Sequence, residues 1–96
     1  MTTYVVAQIN IHDRDQYAHY EAGFGAIFAE FEGRMLAVNE SPTVVEGEWP
    51  FTRTVIIEFP SQSDARAWYD SDAYQTLATH RFSASVANIV FVDGLV

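Results

Sequence analysis

Glu58 interrupts an otherwise apolar run, Val55-Ile56-Ile57-Glu58-Phe59. A carboxyl buried in such a strand is pushed toward its neutral form and can then serve as a general acid or base. The competing reading is an ion pair with an arginine, across a subunit interface or at the rim of a sheet. Arg34 and Arg53 have two comparable roles open to them. Each can fork onto a substrate carboxylate through two parallel hydrogen bonds, or pair with Glu46, Glu48 or Glu58. His12 stands beside Asp13, and a His-Asp pair at a strand end can act as a base; a solvated loop histidine is the alternative. Tyr20 carries a hydroxyl that needs a partner wherever it is buried. Trp68, Tyr69, Tyr74, Tyr20 and Trp49 could line a pocket for a flat ligand, or could be core and interface.

Other chemistries have no residues to run on. The chain has no cysteine and no lysine, so thiol nucleophiles, thiolate metal sites and Schiff bases are excluded. Its three histidines are scattered singly, without His-x-x-x-His spacing, so no metal is expected, and no spacing favours a haem ligand or another cofactor. Gly23-Phe24-Gly25 falls inside a helical pattern and makes no phosphate loop. A net charge of -8 with five arginines argues against nucleic acid and anionic membrane surfaces as partners.

Elements able to position these residues follow from periodicity. Tyr4–Ile11 alternates: Val5, Ala7, Ile9 and Ile11 make an apolar face, and Tyr4, Val6, Gln8 and Asn10 a mixed one. Asp13 can cap a helix whose stripe is Tyr17, Tyr20, Phe24, Ile27, Phe28 and Phe31. Gly23 and Gly25 inside it predict close packing or a kink, and Gly33 a left-handed stop. Arg34–Asn39 reads as a second strand, Thr43–Glu46 as a short extended piece that pairs nearby, and Arg53–Phe59 as the third main strand. Pro60 stops that strand, and Ser61 with Asp64 starts a helix. Ser71 can cap a further helical stretch carrying Tyr74, Leu77 and Arg81, and Asn88–Val92 is the last strand.

The order β-α-β-(β)-β-α-α-β predicts an α+β fold, ferredoxin-like βαββαβ, with an antiparallel sheet covered by helices on one face. Ninety-six residues suit a single domain, 1–96. The uncovered face would carry Tyr4, Val6, Gln8, Asn10, Thr54, Ile56 and Glu58, too apolar for bulk water and too polar for a dry core. A second copy packed sheet against sheet would cover it. The 49% hydrophobic content also favours a homodimer, since so short a chain buries only about two-thirds of its unfolded surface. Without a basic start and apolar core of a leader, or an apolar run near 20 residues, the expected location is the cytoplasm.

At Glu46-Gly47-x-Trp49, Arg53, Ile57-Glu58-Phe59-Pro60-Ser61, Ala65, Trp68-Tyr69-x-Ser71 and Tyr74-Gln75-x-Leu77, the chain resembles the family catalogued as domain of unknown function 1330. Gly33-Arg34, Arg81, Asp13 and Tyr17 fit the same pattern. The resemblance covers essentially the whole chain and implies the dimeric α/β-barrel superfamily, with a barrel built from two sheets. That superfamily includes cofactor-free monooxygenases, lactone isomerases, haem enzymes and stress-response barrels, a likeness of fold that carries no reaction.

Two functions are therefore expected. One is a small enzyme, free of metal and cofactor, performing proton transfer or monooxygenase- or isomerase-like chemistry on a small hydrophobic substrate in a cavity between sheet and helices. Glu58 would be its base, Arg53 or Arg34 the anion anchor, Tyr20 or His12 an orienting donor, with Asn10, Trp68 and Tyr69 also at the site. The other is a non-catalytic dimeric module that binds a ligand or assembles, in which these residues are structural.

Overall fold

Alternation in the first strand sets the two sides of the molecule. The computed structural model describes residues 1–96. Its elements are β1 (Thr3–Ile11), α1 (Arg14–Phe28), β2 (Arg34–Asn39), β3 (Arg53–Phe59), α2 (Gln62–Tyr69), α3 (Asp72–Ala84) and β4 (Ser85–Asp93). The strands pair antiparallel in the order β2-β3-β1-β4, the expected ferredoxin-like α+β arrangement. Val5, Ala7 and Ile9 of β1 are buried toward the helices, whereas Tyr4, Val6 and Gln8 are half-buried and Asn10 is exposed on the other side. Directly opposed residues of antiparallel strands share a face. The register therefore adds Thr54, Ile56 and Glu58 from β3, and Val86, Asn88, Val90 and Val92 from β4, to the open face.

Side-chain caps start all three helices. Backbone N–H groups of Gln16, Asp64 and Tyr74 donate to Asp13 Oδ1, Ser61 Oγ and Ser71 Oγ, each at 3.1 Å. The Asp70-Ser71 break separates α2 from α3. Between helices and sheet lies an aromatic core in which Trp68 stacks on Phe59 at 5.6 Å and meets Tyr74 at 4.5 Å between centroids. Such pairs add about 0.5–1.5 kcal/mol each beyond their burial. No helix is long and apolar enough to cross a membrane.

Three details differ from expectation. Thr43–Glu46 is not a strand: both edges of β3 are occupied by β1 and β2, and Val45 stays 94% exposed in the connecting loop. Gly33 is not a left-handed stop. The cap of α1 is Ala29 in right-handed geometry, and Gly47 is the glycine with positive φ. Gly33 instead makes room for two rings, because a Cβ there would stand 2.5 Å from Phe28 Cζ and 2.7 Å from Phe59 Cζ. Finally, β4 extends beyond Asn88–Val92 at both ends.

Candidate functional site

Helix α1 packs its backbone mainly on α3 and reaches the sheet through side chains such as Phe28, which meets Phe59 at 6.0 Å between centroids. Gly23 allows the approach to α3, since a Cβ there would lie 2.6 Å from Leu77 Cδ1. The space left between α1 and the sheet is a cavity of about 330 Å³. Its floor is Val5, Ala7 and Ile9 of β1 with Val55, Ile57 and Ile89, and its walls are Tyr17, Tyr20, Phe24, Trp68 and Tyr74. Ala7, central on the floor, leaves room that a larger side chain would fill. The exposed or partly exposed lining residues Glu21, Met35, Val38 and Arg53 mark a mouth between α1 and β2.

Few polar groups reach this cavity, and they converge. The Tyr20 and Tyr74 hydroxyls hydrogen-bond at 2.8 Å. Burial, reinforced by Tyr74, pushes the Tyr20 pKa far above its ordinary value, so its phenol is a neutral donor. Burial likewise raises that of Tyr17, although the Arg53 guanidinium opposes the rise. Arg81 is only 4% exposed. Its Cζ lies 5.9 Å from the Tyr20 ring centroid and 4.9 Å from that of Phe82. Burial works to lower the Arg81 pKa, but Tyr74 and Tyr20 more than offset it, and the group stays charged.

Arg81 differs from every other arginine in the chain. Arg14, Arg34, Arg53 and Arg66 each have a carboxylate within salt-bridge distance; Arg81 has none. At the mouth, Arg53 pairs with Glu40 and, at 3.4 Å, with Glu21, and its Cζ sits 5.4 Å from the Tyr17 ring centroid. Burial tends to raise the Glu40 pKa, yet hydrogen bonds and charge from Arg53 and Arg14 bring it below the usual carboxylate value.

The sheet divides the residues expected from sequence. Tyr20, Arg53 and Trp68 line the cavity. Glu58 and Asn10 lie on the open face, with Glu58 half-buried and bonded to Arg34 at 2.6 Å. His12 is exposed at the far end of β1, roughly 25 Å from Glu58 along the strand direction. The polar row and the cavity thus occupy opposite sides of one sheet, and Glu58, Asn10, Arg34 and His12 do not line the cavity. Tyr69 sits outside it too, beside Arg66 and Phe91 in a shallow groove. Trp49 donates to Thr54 Oγ1 at 2.8 Å in the exposed loop. No group of three or more His, Cys, Asp or Glu side chains gathers into a metal-holding cluster. Two charged cavity residues were not candidates from sequence: Glu21 and Arg81. For Arg81 a signal existed, because Tyr74, Ala78 and Arg81 fall at i, i+4 and i+7, one face of α3, and all three are buried.

The family model described as Domain of unknown function (DUF1330) matches residues 2–95. Among solved structures, the chain is similar to RPA0582, a protein of unknown function from Rhodopseudomonas palustris. The TM-score is 0.79 at 16% identity, covering 99% of this chain and 83% of the other. It is also similar to SnoaB, a cofactor-independent oxygenase from Streptomyces nogalater, with TM-score 0.66, 15% identity and coverage of 97% and 92%. Rv0793 from Mycobacterium tuberculosis gives TM-score 0.68 and 14% identity over 100% of this chain and 97% of its own. At these identities the likeness is one of fold. No curated protein matches the sequence.

Proposed function

The chain belongs to the Domain of unknown function (DUF1330) family, and from that premise we propose that it is a small-molecule enzyme whose substrate occupies the cavity between α1 and the sheet. The observation that carries this reading is an apolar cavity of about 330 Å³, at the small end of ligand sites, with a buried phenol pair in its wall. Glu21 is the one carboxylate among its lining residues. In this reading Glu21 takes a proton from a carbon next to a substrate carbonyl. The electron pair moves onto the carbonyl oxygen, toward which Tyr20 or Tyr74 donates a hydrogen bond. The enolate so formed is reprotonated at another carbon, an isomerisation, or its carbon adds dioxygen and takes up the abstracted proton to give a hydroperoxide, which loses water to leave a second carbonyl, the substrate supplying the electrons. The second outcome would give this chain a chemistry of the kind named for SnoaB, whose fold it shares.

The same proposal includes a cytoplasmic homodimer. Val86, Val90 and Val92 are 52%, 53% and 45% exposed on the open face, beside half-buried Val6 and Ile56. A second sheet stacked on that face would remove this apolar surface from water.

Proton exchange tests the enzyme reading. Small apolar ketones and β-dicarbonyls are first screened for binding, then followed in deuterated water by NMR. Wild type should speed deuterium uptake into at least one bound compound, and Ala7→Leu, which fills the floor of the cavity, should abolish both binding and uptake. Binding without accelerated uptake across the panel would contradict catalysis and leave a ligand-binding module.

A further inference from the structure

The residues lining the cavity carry buried hydrogen-bond donors that lack acceptors. Arg81 Nε and Nη2 are buried without a hydrogen-bond partner, as are Trp68 Nε1 and, at the mouth, Arg53 Nε. All three side chains line the cavity. A bond between two hydroxyls uses one of their two protons, so the Tyr20–Tyr74 pair has a further O–H to donate. Nε and Nη2 form one edge of the planar guanidinium, the edge that matches two oxygens of a carboxylate.

Charge points the same way. The sequence has thirteen acidic residues against five basic ones, so carboxylates are plentiful, yet the most buried arginine has none. Its neighbours are the Tyr74 hydroxyl, which hydrogen-bonds the guanidinium, and the faces of Tyr20 and Phe82, and none of them brings the full counter-charge of a carboxylate. A buried charge without a counter-charge is costly to fold around. Arg53, the other cation lining the cavity, is already matched by Glu40 and Glu21. The interior therefore has one uncompensated positive charge, suited to a monoanion more than to a dianionic phosphate.

Resting on the reading that the cavity is the substrate site, we propose that its ligand is a small apolar monocarboxylate whose carboxylate pairs with Arg81, leaving the free O–H of the Tyr20–Tyr74 pair for the reacting carbonyl. Arg81 is then the residue that selects the charge of the ligand, while the floor of β1 and β3 selects its apolar part.

Titration calorimetry with three probes separates this proposal from the reading beneath it. Indole reports whether the cavity takes an apolar molecule at all. Phenylacetate and phenylacetamide have matched shape and differ in charge. Wild type should bind indole and should bind phenylacetate roughly ten- to a hundredfold more tightly than phenylacetamide, the range expected for charge-assisted hydrogen bonds. Arg81→Leu should erase that preference and leave indole affinity within about threefold. Arg81→Gln, neutral but still polar, should do the same and serves where the leucine variant does not fold by circular dichroism. Equal affinity for acid and amide in wild type, or a preference that survives both substitutions, overturns the assignment while the cavity reading stands. Failure of all three probes to bind wild type overturns both.

Discussion

Replacing Arg81 with methionine should stabilise the protein in the absence of ligand. The side chain is 4% exposed and has no carboxylate partner. Removing a charge of this kind from water costs several kcal/mol even after relaxation. The contacts over Tyr20 at 5.9 Å and Phe82 at 4.9 Å return about 1–2 kcal/mol each at best, Phe82 is itself 52% exposed, which places its share at the low end, and the Tyr74 hydroxyl beside the guanidinium offsets part of the rest. A deficit of roughly 1–3 kcal/mol remains by this reckoning. Methionine keeps the unbranched stem and has no charge, so Arg81→Met should recover most of that deficit. For a domain of this size each 1 kcal/mol moves Tm by about 4–8 °C, so a rise of about 5–15 °C is expected. The assay is thermal unfolding at fixed concentration, with both proteins refolded from denaturant so that no ligand is carried over. A fall in Tm of more than a few degrees would mean that Arg81 is a well-satisfied structural cation, and the reasoning from its missing partner would be refuted.

Other consequences reach different parts of the fold. Gly33→Ala should cost about 1–3 kcal/mol in denaturant unfolding, because its Cβ would meet the Phe28 and Phe59 rings; an unchanged midpoint would contradict the packing described. Burial holds the folded-state pKa values of Tyr17 and Tyr20 above the ordinary 10.0, so the stability they contribute is full below pH 10 and is lost as pH rises further. Near-ultraviolet absorbance should accordingly show fewer than five phenolates before alkaline unfolding, and five only after it. Glu58→Gln breaks the 2.6 Å pair with Arg34 on the open face. An exposed pair contributes below about 1 kcal/mol within one chain, so sedimentation equilibrium should show weaker dimers with little change in the stability of the monomer. Dimers of undiminished strength would count against the stacked-sheet arrangement.

Period-two alternation is a local property, which is why both sheet faces are legible along β1 and β3 in the sequence. Arg53 is in phase with Val55 and Ile57, so its place on the helix side followed from parity, as did the place of Glu58 on the other. The caps at Asp13, Ser61 and Ser71 were legible because each needs only a side chain three residues from a backbone N–H. What the pattern along the chain lacks is the distance between layers. The cavity lies between the sheet and an α1 that rests on α3 through Gly23, and nothing in either helix read alone reports that gap. Glu58 drew attention as an acid in an apolar strand, whereas the cation without a partner lay on the buried face of α3, where its spacing made it look like part of the stripe. Thr43–Glu46 misled for a related reason: its residues suit a strand, but the edges of β3 were already taken.

The most direct test is a high-resolution crystal structure of the protein, taken after its mass in solution is known, with the density beside Arg81 as the readout. The account predicts an open cavity between α1 and the sheet, with a bound acid, soaked phenylacetate or ordered water accepting hydrogen bonds from the Arg81 guanidinium. An interior filled by side chains, with Arg81 paired to a carboxylate of the protein itself, would contradict it.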